Sequence, residues 1–437
     1  MPLSGLNVTS ISRSLSQIAD RPDDLVDAYF ERLEEVELPP ADEALGLRLR
    51  REEGFAVRLV RRGRTWLAAR DGIRSAAFTQ ALRQVARALP SAAYPEPVLE
   101  TPALGTGVDA TEVLAFPSRV SEAIRRHHAA FPYRLTLRRH QRWLRVVGTR
   151  FAPEPEHERY YSCSAETPWG RYGTVLPDLE NASVEEVARS LIALFRARDA
   201  PPLASHDGVT VLAPAATAVL LHEVVSHALE TDTLSMSGRV EAALGLRLGG
   251  EALDVLDDPG DAPLGVRRST DDEGTKVTRR WLLRGGVVDQ PLADLSSAFD
   301  SSRLMPGAGR RASRTSAPAP RSTYLKLMPG ESTPEDLLVE SHGGLFLSQV
   351  AKGTLDPLSG RFTLYLPYAR RIRSGGLDEV VGPCRMHAKV SELLSAVTAI
   401  GRDLQPAGAG WCAKGGLKMP VWAAAPSLRV EGIRVEV

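Results

Sequence analysis

The sequence has 437 residues, and its 54 basic and 54 acidic side chains give a formal net charge of zero. It is 43% hydrophobic and 25% charged, as in globular proteins, and it is too long for one ordinary hydrophobic core. Zero net charge removes the electrostatic basis for generic binding to nucleic acid or to an anionic membrane. We therefore expect two domains and a partner that is neither nucleic acid nor membrane.

The residue pattern also predicts a location. The first thirty residues lack the basic start and apolar core of a signal peptide, and the longest apolar run, 209–221, is too short to cross a bilayer. The three cysteines, Cys163, Cys384 and Cys412, are scattered and odd in number, so they suggest no disulfide framework. We expect a cytoplasmic protein.

Residues 1–200 predict a mixed α/β domain. Residues 10–36 predict one or two helices, broken near Arg21 and Pro22. Residues 45–72 alternate apolar and basic side chains in three runs, which predicts an antiparallel meander with turns at 52–54 and 62–63. A second group of strands is predicted at 133–174. Helices are predicted on either side of it, at 74–90, 118–131 and 183–200. The last helix is predicted to have a capping box of Ser183 and Glu186.

Beyond a Pro- and Gly-containing linker at 198–208, the chain from 205 to 437 predicts a β-rich domain. Its runs are mostly strand-like, and only two helices are expected, one around His222 and one at 387–401. The fold class predicted for the whole chain is therefore α+β, with one functional helix inside the β-rich second domain.

The segment "LLHEVVSHALETD", 220–232, carries His222, Glu223 and His227 in the spacing H-E-x-x-x-H. Its apolar residues lie nearly all round the helix, which is typical of a buried helix. Lysine and arginine are absent between Asp207 and Gly238. Burying Glu223 without a partner costs on the order of several kcal/mol, and a bound divalent cation would offset that cost.

An ordinary helix is the alternative, because Glu223 and His227 are four residues apart and share a helix face. In a regular helix, residues five apart point about 140° away from each other, so the two imidazoles could not reach one ion. A π-bulge, whose hydrogen bonds run from i to i+5, would bring His222 and His227 back towards one face. Chelation therefore predicts a locally widened helix between the two histidines.

Catalytic zinc takes three protein ligands, so a third ligand must come from elsewhere. The segment "GPCRMH" provides Cys384 and His387 at C-x-x-H spacing, and "GWCAKGG" provides Cys412 in a glycine-rich turn. Each cysteine could instead be a small buried side chain, which is the more common role of a single cysteine. Spacing does not choose between them.

Three further groups of residues are candidates for the same site. Glu230 lies three residues after His227 and could accept from an imidazole N–H, or it could be a solvated carboxylate. In the loop-like segment 307–321, Arg310, Arg311 or Arg321 could bind a peptide carboxylate or carbonyl, or could simply be solvated. The carboxylates of 271–273 lack the spacing of a calcium loop and indicate a charged turn.

Several motifs in order resemble the TldD/PmbA (TldD/TldE) metalloprotease family. They cover about 205–437, and 1–200 is similar more loosely; the motifs are "HEVVSHALETD", "RRSTDDEGT", "GRRASRTSAPAPRSTYL", "DPLSGRFTLYL" and "WCAKGGLKMPVWAAAPSLRV". The resemblance implies a β-barrel-like second domain and a zinc peptidase that acts on peptides, in which His222, His227 and Cys412 bind zinc and Glu223 is the general base. It also implies dimers, either of two like chains or of an active subunit with a TldE-like partner.

The sequence departs from the family pattern beside the implied ligands. The family usually has glycine on both sides of the second histidine, whereas this chain has Ser226 and Ala228; after the cysteine, Ala413 and Leu417 replace a glycine and a glutamine. Two hypotheses follow. One is a cytoplasmic zinc peptidase that binds peptides by β-strand addition. The other is an inactive partner or scaffold subunit of such a dimer.

Overall fold

A computed structural model of the protein describes residues 3–42, 46–86, 99, 107–127 and 129–437. Helices and sheets occur in both halves of the chain, which confirms the predicted α+β class. Within these residues, no strand of the first half pairs with a strand of the second half. No described helix is both long and apolar enough to cross a membrane.

The first half forms one antiparallel sheet of six strands in the order β3-β2-β1-β4-β5-β6. Four helices, two near each end of the sheet, pack against its apolar face in two separate cores. The elements are α1 (Val8–Ser16), β1 (Leu25–Leu38), β2 (Arg48–Arg61), β3 (Arg64–Asp71), α2 (Ser75–Ala86), α3 (Thr111–Arg126), β4 (Arg134–Gly148), β5 (Glu156–Thr167), β6 (Gly170–Leu176) and α4 (Asn181–Arg196).

Two predictions for the start of the chain are wrong. The second half of 10–36 is the central strand β1 and not a helix, because its alternating face of Val26, Ala28 and Phe30 packs in a core between sheet and helices. The predicted turn at 52–54 is absent, and β2 runs straight through it with Gly54 paired to Glu31. The turn at 62–63 is present, with Gly63 at φ 69°.

The other helices of this half are found close to their predicted places. Helix α4 starts at Asn181, so the predicted capping box is wrong: the Ser183 hydroxyl donates to Asp178 Oδ1 at 3.0 Å instead. Helix α2 ends at Ala86, and the last part of its predicted range, 87–90, lies outside the described residues.

The second half contains three larger sheets and a two-stranded ribbon. Their strand orders are β10-β9-β8-β13-β22-β21, β18-β17-β14-β7-β23-β20, β15-β16-β19-β24 and, for the ribbon, β11-β12. The strands are β7 (Val209–Leu212), β8 (Val255–Asp257), β9 (Arg280–Arg284), β10 (Val287–Val288), β11 (Gly309–Arg310), β12 (Ala319–Pro320), β13 (Tyr324–Leu327), β14 (Leu345–Leu347), β15 (Lys352–Asp356), β16 (Arg361–Leu366), β17 (Ala369–Arg373), β18 (Gly376–Val381), β19 (Cys384–Lys389), β20 (Val397–Ile400), β21 (Gln405–Lys414), β22 (Leu417–Ala425), β23 (Leu428–Glu431) and β24 (Val435–Glu436).

The helices of this half are short. They are α5 (Pro214–Leu221), α6 (Thr231–Met236), α7 (Val240–Ala243), α8 (Leu295–Asp300), α9 (Pro334–Val339) and α10 (Val390–Ser395). The predicted helix at 387–401 is thus one short helix between two strands. In the residues described, the first and last strands of each large sheet do not pair with each other, so the architecture is open and not barrel-like as the resemblance implied. Helix α5 lies in the apolar core that these sheets share.

Buried ion pairs join the two halves. Arg58 of β2 donates to Asp27 at 2.7 Å and, across the boundary, to Glu273 at 2.6 Å. Arg311 approaches from the second half and donates to Asp27 at 3.1 Å. All four side chains are nearly or fully excluded from solvent. Glu273 of the 271–273 turn therefore helps to hold the two halves together, and the predicted charged turn is a buried one.

Replacing Asp272 with asparagine is expected to lower the free energy of unfolding by about 3–5 kcal/mol, the usual cost of breaking a buried pair. Asp272 is fully buried, and its carboxylate accepts from Arg268 at 2.9 Å and from the Arg311 amide at 2.7 Å. Urea denaturation would measure the change. An equal loss in Asp378→Asn, whose ion pair with Arg373 is half-exposed, would contradict this account.

The same carboxylate makes stability depend on pH. Burial raises the pKa of Asp272, but the nearby arginines Arg142, Arg268 and Arg310 outweigh burial and hold it below its usual value. A lowered folded-state pKa means that the contribution is present above the unfolded pKa and is lost as the pH falls further. Lowering the pH should therefore reduce the free energy of unfolding of the wild-type protein more than that of the Asp272→Asn variant.

Candidate metal centre

The helix that carries the H-E-x-x-x-H motif changes its winding at the motif. Pro214 starts α5, and the segment His222–Ser226 that follows is a π-helical turn, in which the His227 amide donates to the His222 carbonyl. A short 3-10 turn, His227–Leu229, ends the helix. The widened helix that chelation requires is thus confirmed. It brings the two imidazole ring centres to 4.3 Å, with an angle of 61° between the ring planes.

A cysteine from a distant strand completes a cluster with the two histidines. Cys412 lies on β21, and its Sγ is 3.4 Å from His227 Nε2. One ligand atom from each of His222, His227 and Cys412 lies within 4.8 Å of the other two, and all three residues are buried. In the described part of the chain, this is the one group of His, Cys, Asp and Glu side chains close enough to hold an ion.

The other cysteine candidate lies elsewhere. Cys384 starts β19, opposite Leu366 of β16 and within the apolar core. His387, three residues later, pairs with Glu436 Oε1 at 3.2 Å. These two residues are therefore not brought together with the histidines of the motif.

His222 is the member of the cluster with no partner. It is 4% exposed, and neither of its ring nitrogens has a hydrogen bond within the described residues. Burial, followed by the nearby His227, lowers its pKa well below the usual value, which favours the neutral ring. Leaving a buried polar atom unpaired costs about 1–3 kcal/mol. A neutral imidazole with a free nitrogen beside a second imidazole and a thiol is a donor set that fits zinc.

His227 is oriented by a carboxylate. Its Nδ1 lies 3.0 Å from Glu230 Oε2, which leaves Nε2 directed at Cys412. Burial alone would lower the pKa of His227, but the Glu230 charge outweighs it and raises the pKa to about 10. An imidazole held at one nitrogen by a carboxylate is the arrangement that usually surrounds a metal-binding histidine.

Glu230 itself is fully buried and is neutralised by two cations: Arg321, which the sequence offered only as a substrate-binding candidate, and Lys414, which it did not single out. Lys414 and Arg321 both donate to Glu230 and to Asp232. Lys414 stands two residues after Cys412 on the same strand, so one strand positions the thiol and the cation. In the sequence, the only sign that Asp232 and Lys414 belong to this site was that both lie inside the motifs that resemble the family.

Glu223 is buried next to the cluster and has no hydrogen bond or ion pair in the residues described. It is 8% exposed, and burial raises its pKa above the usual value. Gly353 of β15 packs directly over it, and a Cβ at that position would lie 2.4 Å from Glu223 Cγ. The glycine thus leaves the room that the carboxylate needs.

A cavity of about 710 Å³ opens beside the cluster, and we call it the triad cavity. His222, Glu223, His227 and Cys412 all line it. So do residues of β15 and β21, which are edge strands of their respective sheets. The buried carboxylate and the possible metal ligands therefore share one space with two strand edges.

The three arginines predicted as substrate-binding residues are placed differently from expectation. Arg310, Arg311 and Arg321 are buried, not in a solvated loop, and none of them lines the triad cavity. Their guanidinium groups donate to the protein itself: Arg310 to Thr323 Oγ1 at 3.1 Å, Arg311 to Asp27 Oδ1 at 3.1 Å and Arg321 to Asp232 Oδ2 at 2.8 Å.

Comparison with known proteins finds relatives in sequence and in fold. Residues 207–437 match the sequence model of the PmbA/TldA metallopeptidase C-terminal domain. A metalloprotease of Methanothermobacter thermautotrophicus is 29% identical over 262 residues, which cover 59% of this chain and 56% of that protein. A metalloprotease TldD homolog of Buchnera aphidicola is 26% identical over 219 residues, covering 50% of this chain and 45% of that protein.

The chain therefore spans about half the length of the curated relatives it matches. Among solved structures, TldE from Thermococcus kodakarensis superposes with a TM-score of 0.74 at 16% identity, and the match covers 98% of this chain and all of that one. At this identity the likeness establishes a common fold.

Proposed function

Because this chain belongs to the PmbA/TldD metallopeptidase family, we propose that it is a zinc-dependent peptidase. In this proposal His222, His227 and Cys412 hold the ion, and Glu223 is the general base. The observation that carries the proposal is the buried cluster of two imidazoles and a thiol, in which neither nitrogen of His222 has a partner among the described residues. A bound ion would satisfy that donor set and would face the unpaired carboxylate of Glu223.

The residues of the chain would divide the work of hydrolysis. When bound, zinc supplies an activated water and polarises the scissile carbonyl. Glu223 accepts the proton of the attacking water and later gives it to the leaving amine. The low polarity that raises the pKa of Glu223 suits it to carry the proton between these two steps. Glu230 holds the ring of His227 at Nδ1, which would leave Nε2 available to hold the ion.

Edge strands β15 and β21 support binding of an extended peptide. A peptide that adds to such an edge is held by its backbone, so many sequences would be accepted. Gly353 of β15 lies against Glu223, which would bring a peptide paired with this strand close to the base. We propose peptides or unfolded polypeptide segments as substrates, hydrolysed by a dimer of like chains or by a pair with a TldE-like subunit in the reducing cytoplasm.

Metal analysis together with a peptide-cleavage assay tests the proposal. Purified protein should contain zinc close to one ion per chain and should cleave an unstructured peptide. Chelation should abolish cleavage, and added zinc should restore it. Protein that contains no metal, even after zinc is supplied and the excess removed, would contradict the proposal.

The alternative is an inactive partner subunit. It is favoured by the residues beside the motif that differ from the family pattern. Ser226 stands where the family usually has glycine, yet it is fully buried, and its hydroxyl donates to Ser322 Oγ at 2.9 Å. The larger side chain is thus accommodated without displacing either histidine from the cluster. Retention of the cluster and of Glu223 favours the peptidase.

Replacing Glu230 with glutamine is expected to weaken zinc binding by about 10–100-fold, as loss of an outer carboxylate partner usually does. The amide keeps the size of the side chain but no longer supplies the charge beside His227 Nδ1. Competition with a chromophoric chelator would measure the affinity. Since Asp232 also pairs with Lys414 and Arg321, Asp232→Asn is the matched control and should weaken zinc binding less than Glu230→Gln does. Equal losses would show that the ion pairs matter and the contact with His227 does not.

A further inference from the structure

A second cavity adjoins the triad cavity. It has a volume of about 580 Å³ and lies between helix α4 and strands β14, β17 and β18. Five residues line both cavities: Glu186, Ser190, Ala215, Ser348 and Gln349. We call these five residues the neck. An extended chain that leaves the triad cavity through the neck would enter the second cavity.

The second cavity is lined by cationic side chains, and we call it the arginine cavity. Arg189 and Arg196 lie seven residues apart on α4, which is about two helical turns, so both point from the same side of the helix. Both are exposed, and neither has an ion pair within the described residues. Arg370 lies across the cavity and uses Nε and Nη2 on the carbonyls of 377 and 378.

Negative charge is scarce in the same cavity. Glu186, at the neck, is the one carboxyl side chain among the described residues that line it. Burial raises the pKa of Glu186, and its carboxyl group is within 3.2 Å of the Tyr172 hydroxyl. The charge of Arg189 acts on Glu186 and partly offsets this rise in its pKa, and the described lining offers no second carboxylate to balance Arg196 or Arg370.

The rest of the wall suits a peptide. Apolar side chains, among them Ile192, Phe346 and Val380, line the space between the cations. At the neck, the Gln349 Oε1 atom is buried and has no hydrogen-bond donor in the described structure. A peptide amide passing through the neck would supply the missing donor. A peptide that passes through the neck would therefore meet first a hydrogen-bond acceptor, then apolar side chains and then guanidinium groups.

We propose that the arginine cavity is a substrate subsite that binds a carboxylate of the peptide, either an acidic side chain or the terminal carboxylate. Guanidinium groups bind carboxylates in a paired, directional way, and the free donors of Arg189 and Arg196 are available for it. The subsite would make acidic peptides the preferred substrates. The inference rests on the proposed function, since the peptide is taken to start from the triad cavity.

The test compares peptides that differ only in charge. The parent is a fluorogenic, amidated, uncharged decapeptide; one series carries a single Glu or a single Gln at each position in turn, and another has a free terminal carboxylate. The variant is Arg189→Gln/Arg196→Gln. The control is Arg125→Gln, an exposed arginine of α3 that lines neither cavity. Zinc content and kcat/KM are measured for each protein.

Wild-type protein should cleave at least one Glu peptide, or the free acid, about five-fold better than its neutral counterpart, a ratio typical of exposed ion pairs. The double variant should lose this preference, and Arg125→Gln should keep it. Preference for an internal Glu identifies a side-chain site, and preference for the free acid alone identifies a terminal one. No preference in wild type, or the same preference in the double variant, would overturn the proposal.

Binding to the Glu223→Gln protein separates this proposal from the peptidase itself. Fluorescence anisotropy of the same peptides should show the same charge preference, and it should depend on Arg189 and Arg196. If peptides are cleaved without regard to charge, the peptidase stands and the subsite is wrong. If acidic peptides bind through the two arginines but nothing is cleaved, the subsite stands and the peptidase is wrong.

Discussion

Replacing Glu223 with glutamine should lower the rate of peptide cleavage by about 10²–10⁴-fold, the usual contribution of a general base, and should leave zinc bound. The amide has the shape of the carboxylate but cannot accept the proton of the attacking water. Since the three proposed ligands are other residues, metal content should stay near that of wild type. The effect would appear in kcat, because glutamine can still occupy the space beneath Gly353.

The matched control is Glu251→Gln, an exposed glutamate in a turn of the same half of the chain. It should retain both zinc and activity. A Glu223→Gln protein that is as active as wild type would remove Glu223 from the mechanism. A variant that loses both zinc and activity would show that Glu223 belongs to the metal site.

Replacing Cys412 with serine should weaken zinc binding by more than about 100-fold, the upper end of what is lost when a residue that only contacts a metal ligand is removed. Peptide cleavage should fall with the zinc content. A hydroxyl is nearly the same size as a thiol but remains protonated at neutral pH, whereas the thiolate is the form that binds zinc. Elemental analysis after dialysis, and chelator competition, would measure the loss.

Cys384→Ser provides the control, because Cys384 is also buried and was the competing candidate in the sequence. It should keep its zinc, since Cys384 lies on β19 and outside the cluster. Thermal unfolding of both variants would show whether loss of metal in Cys412→Ser is separate from unfolding. Loss of zinc from Cys384→Ser alone would contradict the proposed ligand set.

Local signals predicted the helix around His222 well, although they failed at the turn at 52–54 and at the capping box of Ser183 and Glu186. Pro214 and the apolar residues after it predicted a buried helix, and that helix is present. The five-residue separation of His222 and His227, combined with the known angle per residue, required a widened turn if the rings were to meet. The π-helical turn agrees, because this inference used only backbone geometry that holds for any sequence.

Features that depend on distant partners were predicted poorly. The segment that forms strand β1 was predicted to be helical because the spacing of its charged residues fits the period of a helix as well as that of a strand. Its charges are in fact neutralised by arginines such as Arg58 and Arg311, the second more than 280 residues away. For the same reason Arg310, Arg311 and Arg321 looked like solvated loop residues although they are buried ion-pair partners.

The sequence by itself thus determined the fold class, the buried helix and the need for a widened turn between His222 and His227. Spacing along the chain did not choose the cysteine; the family resemblance implied Cys412, and the tertiary structure shows it beside the histidines, because residues 185 positions apart, His227 and Cys412, meet through the packing of α5 against β21. Periodicity and capping report the conformation of a few neighbouring residues. Contacts between distant residues depend on how sheets pair and pack, which the order of side chains along one segment does not encode.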